Sequence, residues 1–188
     1  DSQRVKNKNL KRFSKKNLLI YKIETLLKVK SIKKIIINTD SKEAMNIAKK
    51  YGIDFHVREP YYASSKCPNN EFWGHIAEKT KTDYILFTHC TNPLVKSNTY
   101  ENMIKTFLKK RSHYDSFNSV SEIKEFLIMN KKAINFDFKK APNSQNLPDV
   151  IKLNFAINIL STKLMKKKKS LIGDKPYFYK LNNEEGLD

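Results

Sequence analysis

The stretch IKKIIINTDSKEAMNIAKKYGIDFHV, residues 32–57, decides the fold class. Its β-branched beginning, Ile32–Asn38, predicts a buried parallel strand. Ser41 is expected to cap a helix over residues 42–51, and Gly52 to end it, because glycine adopts the left-handed conformation at little cost. The apolar residues that follow predict a second strand. A strand, a helix and a strand in this order predict a βαβ unit on a parallel sheet.

The same alternation continues on both sides of this unit and predicts one α/β domain over residues 1–188, with a mainly parallel sheet. After residue 115 the predicted strands become shorter and hairpin-like. Ligands on such sheets bind at the carboxyl ends of the strands, so the loops of interest are the one before Leu18 and residues 39–41, 58–70 and 88–94. The further predicted helices are 18–29, 70–79, 98–110 and 161–169, and the further strands are 83–88, 116–120, 126–129, 134–138, 150–160 and 177–181.

The charge is strongly basic, with 37 Lys and Arg against 19 Asp and Glu in 188 residues and a formal net charge of +18. This balance first suggests nucleic acid. Base readout favours Arg, however, and only four of the basic residues are Arg, while the Lys residues are scattered along the chain. We interpret the charge as a solvated surface and expect no nucleic-acid partner, although a basic nucleic-acid-binding domain stays an alternative.

Other classes are limited by composition. Four glycines leave no room for a Walker loop or a GxGxxG motif. No apolar run is long enough to cross a membrane, so no membrane partner is expected. The two cysteines, Cys67 and Cys90, form no metal-binding motif, and we expect a reducing, cytoplasmic location.

A series of short motifs carries a more specific signal, because their order and spacing agree over nearly the whole chain. They are Ser2-Gln3-Arg4 with Lys8-Asn9-Leu10, Asn38-Thr39-Asp40 with Ala48-Lys49-Lys50-Tyr51-Gly52, Arg58-Glu59-Pro60-Tyr61-Tyr62-Ala63 with His75-Ile76-Ala77, the segment FTHCTNPL at 87–94, Ser144-Gln145-Asn146-Leu147-Pro148 with Asn154-Phe155-Ala156, and Leu187-Asp188. In this order they resemble the acylneuraminate (CMP-sialic acid) cytidylyltransferase family, whose members activate acidic nine-carbon sugars.

The resemblance implies a Rossmann-like nucleotide-diphospho-sugar transferase (GT-A-like) fold with three layers and a mostly parallel central sheet. It also implies a homodimer formed through a small hairpin-type arm, for which residues from about 121 to 143 are the candidate. In the family a first strand precedes the segment that begins here at Asp1, and a second metal-binding Asp follows Asp188. We therefore expect one strand and one metal ligand to be missing.

The implied reaction transfers CMP from CTP to an acidic 3-deoxy-2-keto sugar, such as a sialic-acid-like nonulosonic acid, and releases pyrophosphate. Lys8 is expected to contact the triphosphate as a catalytic residue. The other implied nucleotide-binding residues are Ser2, Gln3, Arg4, Asn9 and Arg58. Asp188 is the implied ligand of Mg²⁺ or another divalent cation. The alternatives without a functional role are a solvated loop lysine for Lys8, an ion pair with Glu59 or a nearby acid for Arg58 and a plain terminal residue for Asp188.

Sugar recognition is implied for His89, Thr91, Gln145 and Asn154. His89 stands where the family usually has Gln, and a histidine is able to accept a proton from a hydroxyl. We expect it to be a second catalytic residue, against the alternative of a neutral loop histidine. Three other departures, Ser144 and Val95 where the family has Arg and Phe155 where it has Gly, are expected to reshape the sugar side. An octulosonic acid as the sugar, or a catalytically inactive relative, stays open.

Overall fold

Helices and short strands alternate along residues 8–187, the part of the chain that a computed structural model describes. The helices in this range are α1 (Leu18–Leu26), α2 (Lys42–Lys50), α3 (Pro60–Ala63), α4 (Asn69–Lys79), α5 (Ser97–Lys110) and α6 (Thr162–Lys168). The strands are β1 (Arg12–Phe13), β2 (Lys16–Asn17), β3 (Ile36–Thr39), β4 (Asp54–Val57), β5 (Tyr84–Phe87), β6 (Ser116–Ile123), β7 (Ile128–Met129), β8 (Lys132–Ala133), β9 (Val150–Ser161) and β10 (Pro176–Lys180). Each predicted helix and strand overlaps an observed one, except the strand predicted over 134–138.

The predicted βαβ unit is confirmed in its details. The side-chain oxygen of Ser41 accepts a hydrogen bond from the Ala44 amide and so caps α2. Gly52 has φ +66°, the left-handed value that ends a helix without strain. Strands β3 and β4 then pair in parallel, in register from Ile36 with Asp54. The carboxyl ends of both strands consequently lie at the same edge.

The larger sheet is mixed. Its strand order is β10-β6-β9-β5, and three of the four strands run in one direction. Strand β9 runs against them, antiparallel to both of its neighbours. The reason is its connection: β9 returns from β6 through an irregular segment, whereas a parallel neighbour needs a crossover, usually a helix.

Helices cover both faces of this sheet, which gives the expected three layers. On one face, α1 and α5 pack through Leu26, Met103 and Phe107 against Phe117 and Ile157 of the sheet. The other face is covered by α4 and α6, and its cluster contains Ile76, Ile85, Leu160, Met165 and Leu171. Val95, one of the departures assigned above to the sugar side, is only 2% exposed and lies in the first of these cores.

Phe155 interrupts the regular pairing of β9. It has φ +53°, a conformation that costs a residue with a side chain about 1–2 kcal/mol. The register with β6 shifts at this point, and Ser119 bridges the gap by donating to the side chain of Asn154 at 2.5 Å and accepting from the Ile157 amide at 2.8 Å. The Phe155 ring lies 6.2 Å from that of Trp73, so part of the cost is offset by packing.

The structure of residues 121–143, the range predicted to form the arm, differs in part from the expectation. Strand β6 continues to Ile123, so the first residues of the 121–143 range belong to the central sheet. The hairpin of β7 and β8 turns at Asn130 and Lys131, both at positive φ, as in a type I′ turn. The strand expected over residues 134–138 is wrong, because Asn135 turns its side chain back to the Leu127 amide and the Glu125 carbonyl.

A turn at residues 182–187 closes the described chain against α5. Its buried residue Glu185 accepts hydrogen bonds from the Lys96 amide at 2.8 Å and from the Thr99 hydroxyl at 2.7 Å. These groups belong to the first turn of α5, whose own N-cap side chain makes no capping bond. At Gly186 a Cβ atom would overlap the Ser121 hydroxyl, so the turn lies directly on β6.

No helix within residues 8–187 is long and apolar enough to cross a membrane. The longest of them, α5, has 14 residues and ends in Lys109 and Lys110.

Candidate active site

A cleft of about 310 Å³ opens at the carboxyl ends of β3 and β4. The end of β3 and the loop after it supply three adjacent lining residues, Thr39, Asp40 and Ser41, at the position that the strand pattern indicated. Leu19 of α1 and Ala44 of α2 contribute apolar contacts to the cleft. The cleft therefore combines hydroxyl groups, one carboxylate and apolar side chains beside the end of a parallel strand pair.

Four predicted site residues meet in this one cleft. Lys8 and Asn9 enter from a short 3-10 helix at residues 8–10, Arg58 follows β4, and Thr91 belongs to the loop after β5. These residues are separated by up to 83 positions in the chain, so only the fold brings them together. Thr91 was expected on the sugar side, and here it lies beside the residues expected to bind the nucleotide.

The Arg58 guanidinium is held in one orientation. Its Nε donates to the Asn38 side-chain oxygen at 2.9 Å, and its Nη2 donates to the Asn38 carbonyl at 2.7 Å. The plane of the guanidinium lies over the Phe72 ring, 5.1 Å from the centroid. Among the described residues Nη1 makes no hydrogen bond, so it is available to a ligand. A planar donor fixed in this way is suited to reading the edge of a planar base.

Of the acids considered as partners of Arg58, the nearby Asp40 interacts with it and Glu59 does not form an ion pair with it. Glu59 pairs instead with Lys79, 3.5 Å away. Burial lowers the pKa of Arg58, and the nearby Asp40 carboxylate counteracts that effect. Arg58 is thus a partly desolvated cation at the wall of the cleft.

The remaining predicted residues do not line this cleft. His89 lies half-buried in the loop after β5, with its ring edge-to-face on Phe87 at 5.0 Å. Gln145 is exposed on a 3-10 turn. Asn154 is buried in β9, where its side chain accepts from Ser119 and donates to the Ser121 hydroxyl at 2.9 Å. These bonds give Asn154 a structural role, and sugar binding by the three residues stays a prediction.

Ser2, Gln3, Arg4 and Asp188 lie outside the described residues, so their predicted roles stay predictions. The structure does describe the neighbour of Asp188. The Leu187 carbonyl accepts a hydrogen bond from the Asn92 side chain at 2.9 Å. This bond ties the 182–187 turn to the loop after β5, one residue beyond Thr91.

The described residues offer few side chains that could bind Mg²⁺ in the cleft. Within residues 8–187 no three side chains of the metal-binding types come together, and Asp40 is the carboxylate that lines the cleft. Mg²⁺ keeps several waters and commonly binds through one or two carboxylates together with substrate phosphates. A single cleft carboxylate is compatible with that mode of binding.

Lys22 is a buried lysine that the sequence interpretation overlooked. It is 4% exposed, and its ammonium donates to the Asn92 carbonyl at 2.8 Å and to the Tyr100 hydroxyl at 2.6 Å. The signal was present in the helical pattern, since Lys22 shares a face of α1 with the buried residues Leu19, Ile23 and Leu26. A lysine within an apolar stripe indicates a buried ammonium.

Comparison with known proteins identifies the family. The cytidylyltransferase family matches residues 1–150. The N-acylneuraminate cytidylyltransferase of Escherichia coli is 38% identical over 86 residues, which is 46% of this chain and 20% of that protein. A Helicobacter pylori protein named pseudaminic acid cytidylyltransferase and UDP-2,4-diacetamido-2,4,6-trideoxy-beta-L-altropyranose hydrolase is 30% identical over 115 residues, 59% of this chain and 22% of that protein. The chain thus spans about a fifth of the length of these two relatives.

Solved structures agree on the fold. The structure of CMP:2-keto-3-deoxy-manno-octonic acid synthetase complexed with CTP superimposes with a TM-score of 0.68 at 11% identity, and the match covers 96% of this chain and 86% of that chain. At this identity the likeness establishes a mixed α/β nucleotidyltransferase fold and nothing finer. Since the family match extends over most of the chain and the cleft lies where the fold predicts it, the chain belongs to the cytidylyltransferase family.

Proposed function

We propose that this chain binds CTP in the cleft and transfers CMP to an acidic 3-deoxy-2-keto sugar of the nonulosonic class, with release of pyrophosphate. The observation that carries the proposal is the convergence of Lys8, Asn9 and Arg58 on one cleft. Relatives named for acylneuraminate, pseudaminic acid and legionaminic acid cytidylyl transfer support the choice of sugar class.

The chemistry assigned to the protein is mostly positioning and charge neutralisation. The anomeric hydroxyl oxygen of the sugar forms a bond to the α-phosphorus of CTP, while the bond from that phosphorus to the pyrophosphate oxygen breaks. Lys8 neutralises phosphate charge as a compact cation. Arg58 and Asn9 bind the cytosine edge, where the base offers acceptors. Mg²⁺, held by Asp188, would supply further charge neutralisation on the phosphates.

A pyrophosphate-release assay on the full-length gene product tests the reaction. The assay contains CTP, Mg²⁺ and a panel of nonulosonic and octulosonic acids, with UTP as the nucleotide control and EDTA as the metal control. We expect release with CTP and a nonulosonic acid, and none after EDTA. Faster turnover with an octulosonic acid would overturn the sugar assignment, and a folded protein without release under any condition would overturn the enzyme assignment.

His89 is proposed as the group that accepts the proton of the attacking hydroxyl. Gln in place of His89 keeps a hydrogen-bonding side chain but is unable to accept a proton, so we expect turnover of the His89→Gln variant to fall by about 10²-fold, the lower end of the range for a lost general base. The pH–rate profile should lose its acidic limb. Unchanged turnover together with an unchanged profile would leave His89 as a loop residue.

We further propose that the arm pairs two copies of the chain. Its side chains are unusually apolar and exposed, at 59% for Ile128, 62% for Met129 and 61% for Phe138. Light scattering should give the mass of a dimer, and the double variant Ile128→Lys, Met129→Lys should give a monomer. Leu108→Lys changes an equally exposed residue on α5 and serves as the control. A monomeric wild-type protein would contradict the proposal.

A further inference from the structure

Lys22 carries a buried cation without a carboxylate. Within the described part of the chain no acidic side chain lies within ion-pair distance of its ammonium. Its polar neighbours are the Asn92 carbonyl and the Tyr100 hydroxyl, and the Tyr100 ring lies 5.1 Å from the ammonium. A charge removed from water without a counter-ion is costly. An anionic ligand would supply the missing compensation.

The groups that face Lys22 are themselves neutral near pH 7. Burial raises the pKa values of the Cys90 thiol and of the Tyr100 hydroxyl. Burial also lowers the pKa of Lys22 from 10.5 to about 8, so at pH 7 the ammonium is mostly charged. The site is therefore a net positive charge in a desolvated setting.

This charge lies directly behind the cleft. Leu19, one helical turn earlier on the same face of α1, lines the cleft. Cys90, which interacts electrostatically with Lys22, lines it as well, and so does Thr91, the neighbour of Asn92. The loop after β5 is thus the wall that separates the ammonium from a bound ligand. Charge acts through such a wall because the interior screens it weakly.

We propose that Lys22 is a buried counter-charge for the triphosphate of CTP, acting through the wall formed by Cys90 and Thr91. The inference rests on the proposed function, because it takes CTP as the ligand of the cleft. Lys22 would act together with Lys8 and Arg58, the cations that line the cleft, without touching the nucleotide itself. The ammonium exchanges its hydration for two neutral hydrogen-bond partners, and the negative charge of a bound polyanion would offset that cost.

The variant Lys22→Met tests the proposal, with Lys28→Met as the matched control at an exposed position beyond the end of α1. The substitution removes the cost of the buried charge, but it also takes a hydrogen-bond donor from the Asn92 carbonyl and the Tyr100 hydroxyl, so the melting temperature at one pH does not identify the role of Lys22. Its pH dependence reports the buried charge: between pH 8 and 10.5 unfolded Lys22 binds a proton that the folded form lacks, so the melting temperature of the wild-type protein should rise relative to that of Lys22→Met as the pH rises through that window.

Calorimetric titration with CTP and with cytidine separates the effect of the triphosphate charge from the fit of the nucleoside. In Lys22→Met we expect the dissociation constant for CTP to rise about tenfold, equivalent to about 1.4 kcal/mol, and the constant for cytidine to stay unchanged. Equal weakening of both ligands would identify a merely structural lysine and overturn the proposal, as would unchanged CTP binding. If wild-type protein binds no CTP, the proposed function itself fails, which is a distinct result.

Discussion

Replacing Lys8 by Met is expected to reduce kcat/KM for CTP by about 10³-fold, the upper end of what the loss of one preorganised charge-stabilising group costs. Lys8 lies in the 3-10 helix at the mouth of the cleft, beside Asn9 and close to the first turns of α1. Its charge is proposed to meet the phosphates, whose negative charge builds up on the leaving pyrophosphate. The loss should therefore affect kcat as well as KM, measured by steady-state pyrophosphate release.

The control for Lys8 is Lys11→Met, three residues further along and exposed. It removes the same charge from the same part of the surface, so any general attraction of anions is matched. We expect less than a twofold change for it. Equal losses for the two variants would mean that Lys8 acts only as part of a diffuse basic surface.

Replacing Arg58 by Met is expected to reduce kcat/KM for CTP by about 10²-fold, because the guanidinium both carries charge and holds its Nη1 group in a fixed orientation toward a ligand. The same change should lower the free energy of unfolding by about 1 kcal/mol, since the half-buried oxygen atoms of Asn38 lose their donors. Urea unfolding measures the second effect independently of the first.

Arg111→Met is the matched control for Arg58. Arg111 also lies over an aromatic ring, that of Tyr84 at 5.6 Å, and it is not one of the residues that line the cleft. We expect it to leave CTP turnover unchanged. Selection of cytosine provides a sharper criterion: the ratio of CTP to UTP turnover should fall in Arg58→Met. An unchanged ratio would show that Arg58 supports the cleft without reading the base.

Local pattern predicted the parts of this fold that local physics determines. Ser41 and Gly52 marked the ends of α2 because capping and positive φ depend on single residues. The strand predicted over 134–138 was wrong for the opposite reason. Its residues alternate as in a strand, but the Asn135 side chain bonds the Leu127 amide and the Glu125 carbonyl, backbone groups that would otherwise pair with a neighbouring strand. The direction of β9 within the sheet was also not predictable from the local sequence pattern, because it depends on the path of the chain between β6 and β9.

The candidate site shows the same division. Sequence motifs located Lys8, Asn9, Arg58 and Thr91, and the fold places them around one cleft. Lys22 belongs to no such motif, and its importance depends on Asn92 and Tyr100, which are 70 and 78 residues away. A buried charge becomes evident only when the groups around it are known.

The capping of α5 by Glu185 has a consequence for the order in which the protein is made. On the ribosome, α5 emerges with its first turn unsatisfied, and the carboxylate that completes it is 89 residues from Lys96. A missing cap costs a helix about 1 kcal/mol. We therefore expect α5 to stay loosely formed during synthesis and to become firm only when the 182–187 turn has been translated.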